Sequence, residues 1–235
     1  MTTGLLIVAH GSPDRRHRDT VARLAQRVTA EVNGPVRVGF LDHDQPSVTS
    51  ALVSLAETTA AAVAVSLLLT PGYHDAVDVP QSLARAPAGL AVTYAGSLGL
   101  GPWLHPLLAR RAAQCGAATT SAVVVCAAGS SSATARREVR LLATRWSAVR
   151  GGPVHAAFAT GAGPDLVEAL GLVRQASERP VVVPLLLSEG VLSDRVRATV
   201  AEIGGVTSDV LGTDPEVVDR VVELVEGAGA RVPVL

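Results

Sequence analysis

Lysine is absent from this chain. All 20 basic side chains are arginine, 21 are acidic, and the formal net charge is −1. A chain so close to neutral has no global field to draw it onto nucleic acid or anionic lipid, so neither is expected as a partner. Aromatic residues are scarce at 3%, although hydrophobic residues make up 48%; the core must be built from Ala, Val and Leu. The Ala, Arg and Val bias reads as genomic composition. There are two cysteines, Cys115 and Cys126, with no CxxC pair. That excludes a cysteine metal knot, and two buried thiols are expected. No stretch reaches about 18 uninterrupted apolar residues, and no basic region precedes the first apolar run, so a soluble, cytoplasmic protein is expected. At 235 residues the chain suits one large domain or two small ones.

What is present is a duplication. Shifted by 118 residues, the sequence meets itself: Ala9-His10-Gly11-Ser12 falls on Ala127-Ala128-Gly129-Ser130, and Val21, Leu24 and Ala25 on Val139, Leu142 and Ala143. Gly34-Pro35-Val36 meets Gly152-Pro153-Val154, Leu67-Leu68-Leu69 meets Leu185-Leu186-Leu187, and Gly72 meets Gly190, without a gap from residue 5 to residue 74. Two similar domains are expected, 1–117 and 118–235.

Each half alternates strands and helices. Residues 4–9 are a continuous apolar run, as in a strand buried on both faces. Helical spacing covers 14–32, and strands are expected at 36–41, 62–69 and 90–95. Further helices are expected at 46–59, from Pro80 to about Arg85, and at 102–114. Strands separated by helices give an α/β fold: in each half a parallel sheet of about four strands flanked by helices.

Open parallel sheets bind ligands beyond the carboxyl ends of their strands. His10 follows the first strand, Asp42 and Asp44 the second, His74 and Asp78 the third. Two imidazoles with nearby carboxylates at one edge suit a borderline divalent metal. The plainer readings are loop hydrogen bonding for a single histidine, a helix cap for Asp78 and a turn requirement for Gly11 and Gly72. His17 is expected on an exposed helix face, His43 in an exposed loop and His155 in a structural role. The duplication separates these readings. Core and turn residues recur, but His10 becomes Ala128, Asp42 becomes Thr160 and His74 becomes Leu192. If the histidines served folding, the second copy should need them too. One working half and one degenerate half that serves as a wall are expected.

Four motifs in order, "LLIVAHGS" (5–12), "GFLDHDQPSV" (39–48), "LLLTPGYHDAVDVP" (67–80) and "LGLGPWLHP" (98–106), resemble the class II chelatases, specifically the sirohydrochlorin cobalto- and ferrochelatases in their long, internally duplicated form. The resemblance implies ATP-independent insertion of Fe²⁺, for sirohaem, or Co²⁺, for cobalamin, into sirohydrochlorin, an octacarboxylate tetrapyrrole. The metal is then a substrate, and no permanently bound cofactor is expected. Carried onto this chain, the resemblance assigns His10 and His74 jointly to metal delivery and proton abstraction. Asp42 stands where the family often has glutamate and is a weaker ligand candidate; Asp78 is expected to orient an imidazole. Gly11, Ser12, Arg15, Arg16, Gly72 and Tyr73 are expected to meet the substrate, with Arg18 beside them; a solvated helix face is the alternative for the arginines. The absence of a histidine-rich tail favours iron. A monomer is expected, its two halves forming the cleft. The rival readings are a non-catalytic tetrapyrrole or metal carrier, and a histidine phosphatase, which would want arginine where Ala9 stands.

Overall fold

A computed structural model describes residues 2–70, 72–176 and 179–229. Pro71 of the third motif and the end of the second repeat, 230–235, lie outside the described residues. The chain divides into two compact units: Met1–Gly99 with Pro215–Leu235, and Leu100–Asp214.

The first unit runs β1 (Gly4–Ala9), α1 (Arg15–Glu31), β2 (Val36–Phe40), α2 (Val48–Ala56), β3 (Ala61–Ser66), a π-helical turn (His74–Asp78), α3 (Val79–Leu83) and β4 (Ala91–Ser97). Its four strands are all parallel, in the order β2-β1-β3-β4. β1 is buried along its whole length, as its unbroken apolar run requires of a central strand covered on both faces. Alternate residues of β1 and β3 (Leu6, Val8, Ala62, Ala64) pack with Val48, Ala51, Leu52 and Leu55 of α2 and Val79 of α3. Burying each of the larger aliphatic side chains contributes about 1.5–3 kcal/mol. α1 turns Thr20, Val21, Leu24 and Val28 inward, and Asp14 caps its start by accepting from the Arg16 amide.

The second unit runs α4 (Leu104–Gln114), β5 (Val123–Ala127), α5 (Ala133–Arg150), β6 (Val154–Phe158), α6 (Leu166–Ala176), β7 (Val181–Leu185), α7 (Val191–Glu202) and β8 (Val206–Thr207). Its sheet, β6-β5-β7-β8, repeats the first, with the edge strand cut to two residues. Cys126 is buried here, which pushes its thiol up to about 12; Cys115 is half-buried.

Sequence repeat and compact unit do not coincide. The last helix of the first repeat, α4, packs on β7 in the second unit. The helix that ends the second repeat, α8 (Pro215–Gly229), packs on β3, β4 and α1 in the first. Each has a polar tether. Arg111 reaches Asp214 at 2.9 Å and the Val210 carbonyl at 3.0 Å, and Arg220 donates to the Leu98 carbonyl at 3.2 Å. The compact units thus exchange the helices that close the two sequence repeats. Among the described residues, no helix is long and apolar enough to cross a membrane.

The strand order positions the site. From β1 the chain goes out to β2 on one side, then returns across β1 to form β3 on the other. Crossovers that diverge in this way leave a crevice beyond the carboxyl ends of the two strands. His10 leaves β1 at that point, and the segment holding His74 leaves β3 there.

Candidate active site

The β1 turn is built by close backbone approach. The Asp42 amide donates to the His10 carbonyl and the Leu41 amide to the Ala9 carbonyl, both at 2.9 Å. Gly11 has φ +96°, and a Cβ there would lie 1.7 Å from the Asp42 carbonyl oxygen, so no other residue fits. The Ser12 amide donates to Asp44 Oδ2 at 3.0 Å, and the Ser12 hydroxyl accepts from the Asp14 amide at 3.1 Å. This network holds His10 in place, with its Nδ1 3.0 Å from the Gly11 carbonyl.

The second histidine sits on the π-helical turn. Five residues, His74–Asp78, take the wider winding, and the Val79 amide closes it onto the His74 carbonyl. The short helix expected at Pro80–Arg85 is observed as Val79–Leu83 and is preceded by this π-helical turn, a form that recurs at functional sites. The winding brings His74 Nδ1 within 2.6 Å of Asp78 Oδ2. The neighbouring residue anchors the turn to β4: Asp75 accepts from the Tyr94 hydroxyl at 2.6 Å and from Ser97 Oγ at 3.3 Å. Burial, then the bond to Asp75, pushes the Tyr94 phenol well above its usual range, so it remains a neutral donor.

The two imidazoles meet with their Nε2 atoms 3.2 Å apart and their rings edge-on, centroids 4.4 Å apart. A carbonyl and a carboxylate can only accept, so the Nδ1–H tautomer satisfies both contacts and puts a lone pair on each Nε2. Two lone pairs facing one another need a cation between them. A shared proton meets that need, and so does a metal ion: with bonds of about 2.1 Å, nitrogens at this spacing subtend about 100° at the metal.

Around the pair lies an open cavity of about 280 Å³, lined by His10, Leu41, Asp42, His74, Asp78, Gln81, Ser82 and Arg85. Of the residues singled out from the sequence, His10, His74, Asp42 and Asp78 thus come together. Among the described residues, no third His, Cys, Asp or Glu completes a metal-holding group. The Asp42 carboxylate turns instead to its neighbour, accepting from the His43 amide at 2.8 Å, with His43 Nε2 at 3.4 Å. Arg15 and Arg16 do not line the cavity. Arg15 lies out in solvent beside Asp19, and Arg16 grips Asp14 at 2.7 Å, holding that carboxyl down at about 2. Gly11 and Ser12 serve the turn, and Gly72 precedes the winding. Tyr73 is 68% exposed and meets His74 edge-on at 6.3 Å. His17 is half-buried, not exposed as expected, and burial pulls its pKa down. Gln81, Ser82 and Arg85 were not anticipated. Their signal was available, since 78, 81, 82 and 85 fall on one helical face.

The CbiX family model matches residues 4–115 and again 122–228. The sirohydrochlorin cobaltochelatase of Sulfurisphaera tokodaii is 28% identical over 112 residues, which are 47% of this chain and 92% of that one. SirB from Bacillus subtilis with Fe³⁺ superposes with a TM-score of 0.85 at 21% identity, covering 98% of this chain and 96% of that one. CbiX, described as the terminal enzyme of sirohaem biosynthesis in denitrifying bacteria, gives a TM-score of 0.73 at 22% identity, covering 96% of this chain and 99% of that one.

Proposed function

Because the chain belongs to the CbiX family, we propose that it inserts a divalent metal ion, Fe²⁺ or Co²⁺, into sirohydrochlorin without ATP, and that His10 and His74 deliver the metal. The observation that carries this reading is the opposed Nε2 pair, 3.2 Å apart, at the switch point of the first sheet. The S. tokodaii relative is named for cobalt insertion into this tetrapyrrole, and one Bacillus structure holds iron while another holds cobalt.

The chemistry is an exchange. The incoming ion replaces two pyrrole N–H protons, so ion plus free ring gives metallated ring plus two protons. As the ion passes from the imidazoles to the ring nitrogens, the two Nε2 lone pairs are freed at the moment two protons need acceptors. Metal and protons then trade places at the same atoms. One proton can stay shared between the rings, and Asp78 stabilises the charge that reaches His74. A second proton on the pair would set two imidazolium charges side by side, rings 4.4 Å apart, so it leaves through the open cavity to water. The shared proton is displaced to water when the next ion takes the two lone pairs, and that resets the site. Because proton and metal compete for the same lone pairs, loading weakens as pH falls.

The test is an absorbance assay of sirohydrochlorin with each metal, with and without the protein. Acceleration over the spontaneous rate is expected. Binding without acceleration would instead make the protein a carrier.

A further inference from the structure

The wall of the cavity opposite the β1 turn is one face of α3 and its continuation. Asp78, Gln81, Ser82 and Arg85 are spaced three and four apart and line the same cavity as the histidine pair. Asp78 is committed to His74. The other three side chains have no hydrogen-bond or ion-pair partner among the described residues. They offer a forked guanidinium, an amide and a hydroxyl, all able to donate. The remaining charged groups of the cavity, Asp42 and Asp78, are acidic and would repel an anion. An unspent arginine on that wall is therefore the group that can draw one in.

The second unit shows what this face looks like without such a task. Adding 118 places Val196, Thr199, Val200 and Ile203 at the four positions. Val196 and Val200 are 1% and 0% exposed and belong to the core. The matching cavity holds about 140 Å³ and is lined by Ala159, Val196 and Thr199, with Asp165 and with Arg195, which stands at the position matching Val77 rather than Arg85. Three of these four positions are apolar, so folding does not require the polar row.

We infer that Arg85, with Gln81 and Ser82, forms a carboxylate subsite that takes an acidic side arm of the tetrapyrrole and so sets the ring against the histidine pair. This rests on the proposed reaction and names the part of the site that reads substrate charge. The guanidinium fork matches a carboxylate with two parallel hydrogen bonds, a geometry an ammonium cannot reproduce. A tetrapyrrole with fewer carboxylates would gain less from it.

The test is titration of sirohydrochlorin, followed by its absorbance, into the full-length chain and its Arg85→Ala, Arg85→Lys and Gln81→Ala variants. Co²⁺ affinity is measured in parallel without tetrapyrrole. Arg85→Ala should raise Kd by about three- to tenfold, with Arg85→Lys in between and Gln81→Ala smaller. Added salt should weaken binding more in the wild-type chain than in Arg85→Ala. Co²⁺ affinity should not move. If the wild-type chain metallates sirohydrochlorin and Arg85→Ala binds it equally well, the subsite is overturned while the reaction stands. A fall in Co²⁺ affinity along with Kd would show that Arg85 shapes the histidine pair, which also overturns the subsite. A wild-type chain that neither binds nor metallates sirohydrochlorin would overturn both.

Discussion

The end of β1 and the end of β5 are the same turn with different chemistry. In the first unit the Asp42 amide meets the His10 carbonyl at 2.9 Å; in the second the Thr160 amide meets the Ala128 carbonyl at 3.0 Å. Gly11 would drive a Cβ to 1.7 Å from Asp42 O, and Gly129 to 2.0 Å from Thr160 O. Ser12 Oγ accepts from the Asp14 amide and Ser130 Oγ from the Ser132 amide, both at 3.1 Å. The backbone bonds, the glycine and the serine recur; the imidazole does not, nor does the Asp44 carboxylate that holds the Ser12 amide, since Ala162 stands in its place. The third connection diverges further. Where the first unit winds His74–Asp78 as a π-helical turn, the second runs a continuous helix from Val191, with Leu192 and Val196 in the matching places. The difference separates two demands on the sequence: a parallel sheet needs glycine and a capping hydroxyl at its strand ends, and metal transfer needs histidines and a carboxylate.

The comparison breaks most sharply at the histidines. His10→Ala or His74→Ala should lower metal insertion into sirohydrochlorin at least about tenfold, since either change leaves one nitrogen facing empty space. The melting temperature should barely change, because Ala128 already occupies the matching turn. A unit that unfolded on losing His10 would show that the residue serves the fold after all.

Asp78→Asn comes next. The amide keeps the shape but removes the charge behind His74 Nδ1, and partners of this kind are worth about 10–100-fold in metal affinity. Co²⁺ titration should show a loss at the lower end of that range. Asn that bound Co²⁺ as tightly as Asp would sever Asp78 from the metal.

A third pair of variants sharpens the likeness rather than the difference. Gly11→Ala and Gly129→Ala both place a Cβ against a backbone oxygen at positive φ, and each should cost about 1–3 kcal/mol in chemical denaturation. Only the first should also slow insertion. Unequal destabilisation would mean that the two turns are not under the same constraint.

The smallest effect concerns Tyr94. Its phenol is raised in the folded state, so its contribution to stability is fully present below about pH 10, the ordinary tyrosine value, and is lost as pH rises through the higher folded value. Stability measured from pH 8 to 11 should fall more steeply in the wild-type chain than in Tyr94→Phe. Parallel curves would argue against the Asp75 anchor.

Much of this was legible in the sequence because its signals are local. A buried parallel strand reads as an apolar run, as residues 4–9 do, and the repeat places both histidines at strand ends without any coordinates. The exchange of α4 and α8 was not legible, since an apolar stripe records that a helix covers a sheet and not which sheet. The π-helical winding leaves no periodic signal in five residues, and its tie to β4, the Tyr94 hydroxyl donating to Asp75, comes from 19 residues away in sequence. Arg85 was not legible from the motifs, because it stands outside all four and far from His10 in sequence. Arg15 and Arg16 are close to that motif in sequence, but their side chains are engaged with Asp19 and Asp14. Arg85 is 75 residues on from His10, yet it lines the same cavity.

On this reading the duplicated fold carries one delivery site, in the first unit. It is tested most directly by the initial rate of Co²⁺ insertion into sirohydrochlorin catalysed by the His10→Ala/His74→Ala double variant, with its folded state confirmed by circular dichroism. The expected rate equals that of sirohydrochlorin and Co²⁺ without protein. A folded double variant that inserts the metal as fast as the wild-type chain would contradict it.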